Sequence, residues 1–398
     1  LLALDQLWLA QDDGTWEDHG LAWGLDTQLG TRNSSFLDID HDGWLDLYEH
    51  NTDGPSVLWR NHGAGFDEVT ARASLATTRM GLPESGTWAS IATDVNSDGW
   101  DDLLVLRRGL PPAGEPESHS NGHLLFVNVA GTGFVEVADL THLNDNFVAF
   151  NHFTNGVMGC QAADLNADGY PDILTGNGSP ESGAVNGLFL TTGLLEVDVP
   201  GVGPLLLPQY LDATSLTDTP APEILLVHAS PDDAPDDGEY PSYPYRTHGM
   251  CAADFDGDGF LEVLEANGGP GRYQDEDLVR QMQEPDRLWK VDFLETPPHW
   301  ISVLLRGGDG VPLDAIGARV AVTASEGDAS RTLHQTRFSG SGFAAGNGPE
   351  LFFGLGADDR VDDLVVVWPD DTTERFDPPE IDAKVVIVRG GGTLVPLE

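Results

Sequence analysis

The feature that most constrains this chain is an acidic loop that it uses four times. FLDIDHDGWLDLYEHN, at residues 36–51, has siblings in DVNSDGWDDLLVL from Asp94, DLNADGYPDILTGN from Asp164 and DFDGDGFLEVLEAN from Asp254. The shared pattern is D-x-[DN]-x-D-G-[aromatic]-x-[DE], followed at once by a short apolar run. Repetition of one loop-and-strand unit points to a repeat architecture, in which each unit buries its apolar face only against its neighbours. Three copies also place an Asn fourteenth in the unit, Asn51, Asn177 and Asn267. A fifth, eroded copy reads SLTDTPAPEILLV at residues 215–227. There Ser215, Thr217 and Thr219 stand where carboxylates should be, so this unit is expected to keep its strand and bind nothing.

A second element follows most copies. LWRNHGAGFDEVT (58–70), LLFVNVAGTGFVEVA (124–138) and LFLTTGLLEVDV (188–199) each read as strand, tight Gly turn, strand. Loop, strand, connection and hairpin together make a four-stranded unit, and such units in series predict a β-propeller. Five blades are recognisable, in a ring expected to have six or seven. Residues 7–20, LWLAQDDGTWEDHG, form a hairpin without an acidic loop before it. This hairpin either closes the ring against the last blade or belongs to a truncated first one. Helical periodicity is nearly absent; DEDLVRQMQEPDRLW (275–289) is the one stretch that predicts a short helix.

Each loop offers oxygen ligands at positions 1, 3, 5 and 9 and a main-chain carbonyl at 7, with glycine at 6 for the sharp turn. The candidate ligands are Asp38, Asp40, Asp42 and Asp46 with the carbonyl of Trp44, then Asp94, Asn96, Asp98 and Asp102 with that of Trp100. The third set is Asp164, Asn166, Asp168 and Asp172 with Tyr170; the fourth is Asp254, Asp256, Asp258 and Glu262 with Phe260. All-oxygen ligation without Cys or His selects a hard cation, and Ca²⁺ tolerates irregular geometry better than Mg²⁺. About four Ca²⁺ sites are therefore expected; the alternative is four metal-free Asx turns joining strands. Glu49 and Glu265 also satisfy an EF-hand pattern, but the acid common to all copies lies at position 9 and the flanks read as strands.

The balance of 66 Asp+Glu against 19 Lys+Arg gives a formal charge of −47, which argues against nucleic acid or an anionic membrane as partner. Four divalent ions would neutralise only a small part of it. With 40% hydrophobic residues the chain is nevertheless built to fold. Only Lys290 and Lys384 are lysines. No apolar run is long enough to span a membrane, so no membrane insertion is expected. The opening LLALDQLWLAQDDGTW has no initiator Met, basic region or cleavage site, and reads as a mature or trimmed product. Cys160 and Cys251 can form at most one bridge; their places on strands of different repeats favour two buried free thiols.

These residues resemble the FG-GAP/VCBS repeat family, whose propeller blades carry D-x-[DN]-x-D-G-x-x-D calcium loops, as in integrin α-subunit heads. The resemblance covers about residues 1–295 and implies Ca²⁺ in outer-edge loops at the sets of residues just named. After the Pro-marked linker ETPPH (295–299) come WISVLLRG, DAIGARVAV (314–322), FSGSGFAAGN (338–347), LFFGLG (351–356) and VDDLVVVWPDD (361–371). Apolar runs separated by Gly and Asp turns predict a small β-sandwich-like domain over 296–398. It resembles the ASPIC/UnbV domain that follows such propellers in cartilage acidic protein and its bacterial relatives. That family implies architecture and an extracellular setting, secreted or surface-displayed, and no defined activity.

No nucleophile elbow, P-loop or HExxH motif occurs in the sequence. His152 and His248 precede the third and fourth loops; they are read either as strand histidines or as channel groups able to bind a metal or act as a base. Trp44, Trp100, Tyr170 and Phe260 are read as blade packing rather than a sugar platform, and Arg319 as the partner of a local carboxylate. The leading expectation is an extracellular calcium-stabilised propeller serving adhesion or acting as a structural subunit. Its partner would be a protein or glycan at the cell surface or in the extracellular matrix, or another copy of itself. A lectin-like module, or an enzyme acting on polysaccharide or in biosynthesis with its site in the channel, are the alternatives.

Overall fold

Each acidic loop runs into an apolar stretch too short for a helix, and each stretch becomes the second strand of a four-stranded antiparallel sheet. The computed structural model describes residues 6–25, 31–51, 55–73, 87–107, 122–145, 157–177, 186–213, 224–228, 247–267, 286–293 and 296–396, apart from a few single positions. The fold is all-β. Short 3-10 turns at Leu21–Trp23 and Ala138–Leu140 are the only helical turns among the described residues.

A two-stranded sheet comes first, β1 (Trp8–Ala10) with β2 (Trp16–Asp18). Sheet 1 then runs β3 (Thr31–Leu37), β4 (Asp46–Asn51), β5 (Val57–Asn61), β6 (Phe66–Glu68) in sequential order. Sheet 2 repeats it with β7 (Thr87–Thr93), β8 (Asp102–Arg107), β9 (Leu124–Asn128) and β10 (Phe134–Glu136). Sheet 3 uses β11 (Val157–Ala163), β12 (Asp172–Asn177), β13 (Gly187–Val199) and β14 (Gly203–Asp212). Sheet 4 contains β15 (Ile224–His228), β16 (Thr247–Ala253), β17 (Glu262–Asn267) and β18 (Arg287–Phe293), in the order β15-β18-β17-β16.

The first strands of the loop-bearing units pack in succession, β3 beside β7, β7 beside β11 and β11 beside β16. One apolar cluster fills each junction. Leu103 and Val105 of β8 face sheet 1, sharing a cluster with Leu37, Tyr48 and Leu58. Leu104 and Leu106 face the other way, against Ile173, Phe189 and Tyr210 of sheet 3. A strand buried on both faces needs an unbroken apolar run, which is why DLLVL lacks the alternation of a half-exposed strand. This stacking of four meanders is consistent with a β-propeller, but β16 does not pack along β3 as the other first strands pack along their neighbours.

Several expectations are corrected by this topology. The apolar part of the fifth, eroded unit is β15, which pairs with β18 as the outermost strand of sheet 4 and starts no blade of its own. Four sheets therefore stand, among the described residues, where six or seven blades were expected. Among the described residues the N-terminal hairpin joins no other sheet; the adjoining Leu7 packs instead on Leu47, Trp59 and Phe66 of sheet 1. Residues 188–199 are one long strand, because Gly193 (φ 117°) makes a bulge between Thr191 and Leu194 where a turn was expected. Of the stretch expected to be helical, Arg287–Trp289 belong to β18 and residues 275–285 lie outside the described residues. As the sequence favoured, no disulfide joins Cys160 and Cys251; the first is buried and the second, against expectation, only half-buried.

Eight further strands form a two-sheet sandwich. They are β19 (His299–Arg306), β20 (Arg319–Glu326), β21 (Ala329–Thr336), β22 (Leu351–Gly356), β23 (Arg360–Val367), β24 (Thr373–Phe376), β25 (Ala383–Val388) and β26 (Leu394–Pro396). The sheet orders are β22-β19-β25-β26, with β19 and β25 parallel, and β21-β20-β23-β24. Ile301, Val303 and Ile387 of one sheet meet Val320, Val322 and Leu364 of the other in a single core closed by Trp368. The segment around residues 338–347, read from sequence as one of the domain's own apolar runs, leaves the sandwich. Phe338 packs into the cluster between sheets 1 and 2, Asn33 Nδ2 donates to Gly342 O (3.2 Å), and Asn347 bonds to Ala162 O (3.0 Å) and Ala252 N (2.9 Å). It thus crosses the first strands of the sheets.

Candidate metal centre

Every acidic loop joins the first strand of its sheet to the second, and all four adopt one conformation. Position 4 is left-handed in each, at φ 57° for His41, 54° for Ser97, 53° for Ala167 and 81° for Gly257. The glycine at position 6 is left-handed as well, at 83°, 90°, 99° and 99° for Gly43, Gly99, Gly169 and Gly259. Those two reversals wrap the backbone around the first aspartate. Its Oδ2 accepts the N–H of that glycine: Gly43 to Asp38 (3.2 Å), Gly99 to Asp94 (2.7 Å), Gly169 to Asp164 (2.9 Å) and Gly259 to Asp254 (2.8 Å). At position 5, Oδ1 of Asp42, Asp98, Asp168 and Asp258 accepts the N–H of the following aromatic at 2.9–3.0 Å. Each loop so fixes its first and fifth carboxylates in the same way.

Position 9 does something further. Asp46 accepts Ile39 N (2.8 Å) with one oxygen and Asn61 N (2.6 Å) with the other, tying the loop to the third strand. Asp102 does the same with Val95 and Asn128, and Asp172 with Leu165 and Thr191. Glu262, one carbon longer, accepts Phe255 N (2.7 Å) and leaves a buried Oε1 without a hydrogen-bond partner. The ninth acid is a staple as well as a candidate ligand. Oxygens from Asp38, Asp40 and Asp42 lie within 4.8 Å of one another, as do those of Asp254, Asp256 and Glu262. Asn96 and Asn166 occupy position 3 in loops 2 and 3, and their Nδ2 groups donate to Asp98 and Asp168 (3.1 Å each).

Burying this much negative charge is costly, and protons show it. Asp46 is pushed up to about 8, chiefly by burial, against the pull of its two main-chain donors. Asp94, Asp102, Asp164 and Asp172 are all held well above the ordinary carboxylate range, first by burial and then by the carboxylates beside them. Asp38 is also raised by burial, with the Arg319 guanidinium opposing. Asp256 moves the other way, lowered by its hydrogen bond from Lys290.

The aromatic residues at position 7 pack, as expected for blades. Trp100 lies on His41 with ring centroids 3.7 Å apart and planes 3° apart, joining loops 1 and 2. Phe260 meets Phe293 (4.6 Å) and Trp300 (6.3 Å), Arg331 sits over Tyr170 (5.7 Å), and Trp44 covers Gly63 while staying half exposed. Glu49 and Glu265, the acids that imitated an EF-hand, sit on strands and accept Trp59 Nε1 and Asn186 Nδ2 (2.7 Å each). His248 lies on β16; His152 is outside the described residues.

What the sequence reading missed is the roof over the loops. The sandwich touches all four. Arg319 reaches Asp38 (3.0 Å), Thr336 reaches Asp101 (2.8 Å) and Lys384 reaches Asp254 (2.6 Å). Gly354 N donates to Asp164 (3.0 Å), Gly356 N to Ala167 O (2.9 Å), and Arg331 to the main-chain oxygen of Asp168. Arg319, expected to pair with a local carboxylate, has Asp371 of its own domain at 4.0 Å but makes its closer pair with Asp38, 281 positions away. Nothing in local sequence spacing signals such a contact.

Residues 38–105 match the family model of the FG-GAP-like repeat, and residues 308–394 match that of ASPIC and UnbV. The chain carries both modules. No curated protein matches it. Among solved structures, a disulfide-locked mutant of intermedilysin with human CD59 aligns over 92% of each chain at 8% identity, with a TM-score of 0.14. That likeness is too weak to carry an argument about fold or role.

Proposed function

We propose that this FG-GAP-like repeat protein is a calcium-stabilised binding or assembly subunit working outside the cell. The observation that carries the calcium reading is the crowding of buried carboxylates in loops 2 and 3. Asp94, Asp102, Asp164 and Asp172 are each at most 6% exposed and are pushed towards protonation by burial and by one another. A divalent cation removes the same cost without protons, and the donor set, all oxygen and mostly carboxylate, suits Ca²⁺. The holding residues would be those at positions 1, 3 and 5 with the carbonyl at 7, and the ion would supply charge balance and stiffness to the loops under the sandwich. The test is calorimetric: EDTA should lower the melting temperature by several degrees and excess Ca²⁺ restore it. Superimposable melting curves in EDTA and in Ca²⁺ would refute the reading.

A glycan- or protein-contacting role has its own support in the N-terminal hairpin. Trp8 and Trp16 are 50% and 64% exposed, and the register Ala10↔Trp16, Trp8↔Asp18 puts both on one face of the two-stranded sheet as diagonal neighbours. Exposed paired indoles are costly unless something covers them. Binding to a glycan array that disappears in a folded Trp16→Ala variant supports the lectin form; binding to immobilised matrix protein alone supports adhesion.

A further inference from the structure

The four loops differ in one respect that the repeat pattern hides. Registers Leu47↔Trp59, Leu103↔Phe126, Ile173↔Phe189 and Val263↔Trp289 align the third strands, so that Arg60, Val127, Leu190 and Lys290 hold one equivalent position. In sheet 1, Arg60 Nε reaches Asp40 (2.5 Å) and Nη2 reaches Asp42 (2.9 Å). In sheet 4, Lys290 Nζ reaches Asp256 (2.6 Å) and Asp258 (2.5 Å). Each cation thus clasps positions 3 and 5. In sheets 2 and 3 the equivalent residues are hydrocarbon, Val127 and Leu190, each packed in an apolar cluster between sheets.

Position 3 changes with the third strand. It is Asp where the third strand carries a cation (Asp40, Asp256) and Asn where it carries Val or Leu (Asn96, Asn166). A second cation meets position 1 in the same two loops, Arg319 on Asp38 and Lys384 on Asp254, both sent from the sandwich. The only two lysines in the sequence therefore converge on loop 4. The position-5 oxygen that the loop backbone leaves over, Oδ2, goes to Arg60 in loop 1 and Lys290 in loop 4, but to a neutral amide in loops 2 and 3. Loops 1 and 4 have the most carboxylates, and they are the loops into which the chain has placed its own positive charge.

We propose that loops 1 and 4 are closed by these built-in cations, Arg60 with Arg319 and Lys290 with Lys384, and that loops 2 and 3 are the calcium sites. The inference rests on the calcium reading above. It divides the repeats into two calcium-independent clamps at the ends of the series and two calcium-dependent ones in the middle. An ion entering loop 1 or 4 would have to displace two cations and their three ion pairs, one of them the hold of the sandwich on that loop.

Calcium stoichiometry of the full chain, measured by isothermal titration and by equilibrium dialysis at 1 mM Ca²⁺, tests this. Two ions per chain are expected. Asp98→Asn and Asp168→Asn, which keep the acceptor for the next N–H, should each remove one ion, whereas Asp42→Asn and Asp258→Asn should remove none. The double change Arg60→Val with Asp40→Asn, which rebuilds loop 1 on the pattern of loop 2, should raise the count to three while the melting temperature in EDTA reports that the fold is kept. Four ions on the unaltered chain would overturn the proposal and leave the calcium reading standing. Zero ions would overturn both. Two ions lost through Asp42→Asn and Asp258→Asn would overturn the assignment to loops 2 and 3.

Discussion

Replacing Gly354 by Ala tests whether the sandwich is seated on the third acidic loop. Gly354 lies on β22, and a Cβ there would stand well under 3.0 Å from the main chain of Ala167 and the carboxylate of Asp164. Real Cβ atoms do not approach so closely, and neither neighbour is a flexible side-chain end. The strand must therefore lift, with two losses. Overpacking costs about 1–3 kcal/mol. The bonds Gly354 N to Asp164 (3.0 Å) and Gly356 N to Ala167 O (2.9 Å) stretch, at about 1–2 kcal/mol together. The sum is about 2–5 kcal/mol, a fall in melting temperature of roughly 2–6 °C for a chain of 398 residues melting as one. Gly308→Ala is the control, because a Cβ there meets nothing within 4 Å. Differential scanning calorimetry of both variants gives the answer. A Gly354→Ala protein that melts within about 1 °C of the unaltered chain would show that β22 does not rest on loop 3, and the contacts of the roof would fall with it.

Two further outcomes follow from the same surfaces. The raised carboxyls Asp46, Asp94, Asp102, Asp164 and Asp172 hold protons in the folded chain that the unfolded chain has lost above about pH 4, so their contribution is fully present below that pH and is lost as pH rises, for Asp46 through about 8. Melting temperatures in EDTA should accordingly fall between pH 5 and pH 8, and the gain on adding Ca²⁺ should be larger at pH 8; a gain independent of pH would contradict the assignment. Asn347→Ala should cost about 2–4 kcal/mol in urea unfolding, since Asn347 serves Ala162 O, Ala252 N and Gln161 together, and a loss under 1 kcal/mol would show that the crossing segment is not anchored there.

The loops and the strands beside them were legible because their information is local. Glycine at position 6, an Asx acceptor at positions 1 and 5 and an apolar run after position 9 fix a turn and a strand within one unit, and all four came out alike. Strand pairing over distance was not legible. Ile224–His228 has the composition of a blade's inner strand, yet it pairs with β18, because edge position is decided by which backbone is left unpaired and not by side chains. Gly193 looked like a turn and is a bulge, a difference set by the neighbouring strand β14. The crossing of residues 338–348 over the first strands has no periodic signal at all, being held by single contacts such as Asn347. The cation asymmetry was present in the sequence, as Arg60, Val127, Leu190 and Lys290 against Asp40, Asn96, Asn166 and Asp256. Reading it needs the third-strand register, which only the folded sheets supply.

The four loops gather the repeats' buried acids on one face, and the sandwich answers with Arg319, Arg331 and Lys384 on that face. In a chain with 19 cations to 66 acids, three of the cations are directed to this one contact. Electrostatics thus selects which side of the sheets the sandwich can cover, while Trp300 against Phe260 and Tyr170 beneath Arg331 supply the apolar contact that makes docking close. The loop face and the first strands crossed by Phe338, Gly342 and Asn347 are consequently occupied from within the chain. A partner protein or glycan of the kind proposed above would have to be met elsewhere. Exposed apolar side chains on the outer elements, Trp8 and Trp16 on the N-terminal hairpin and Leu195 and Leu206 on β13 and β14, mark where that search should start. Calcium in loops 2 and 3 would act on such a partner only indirectly, by fixing the sheets that carry those surfaces.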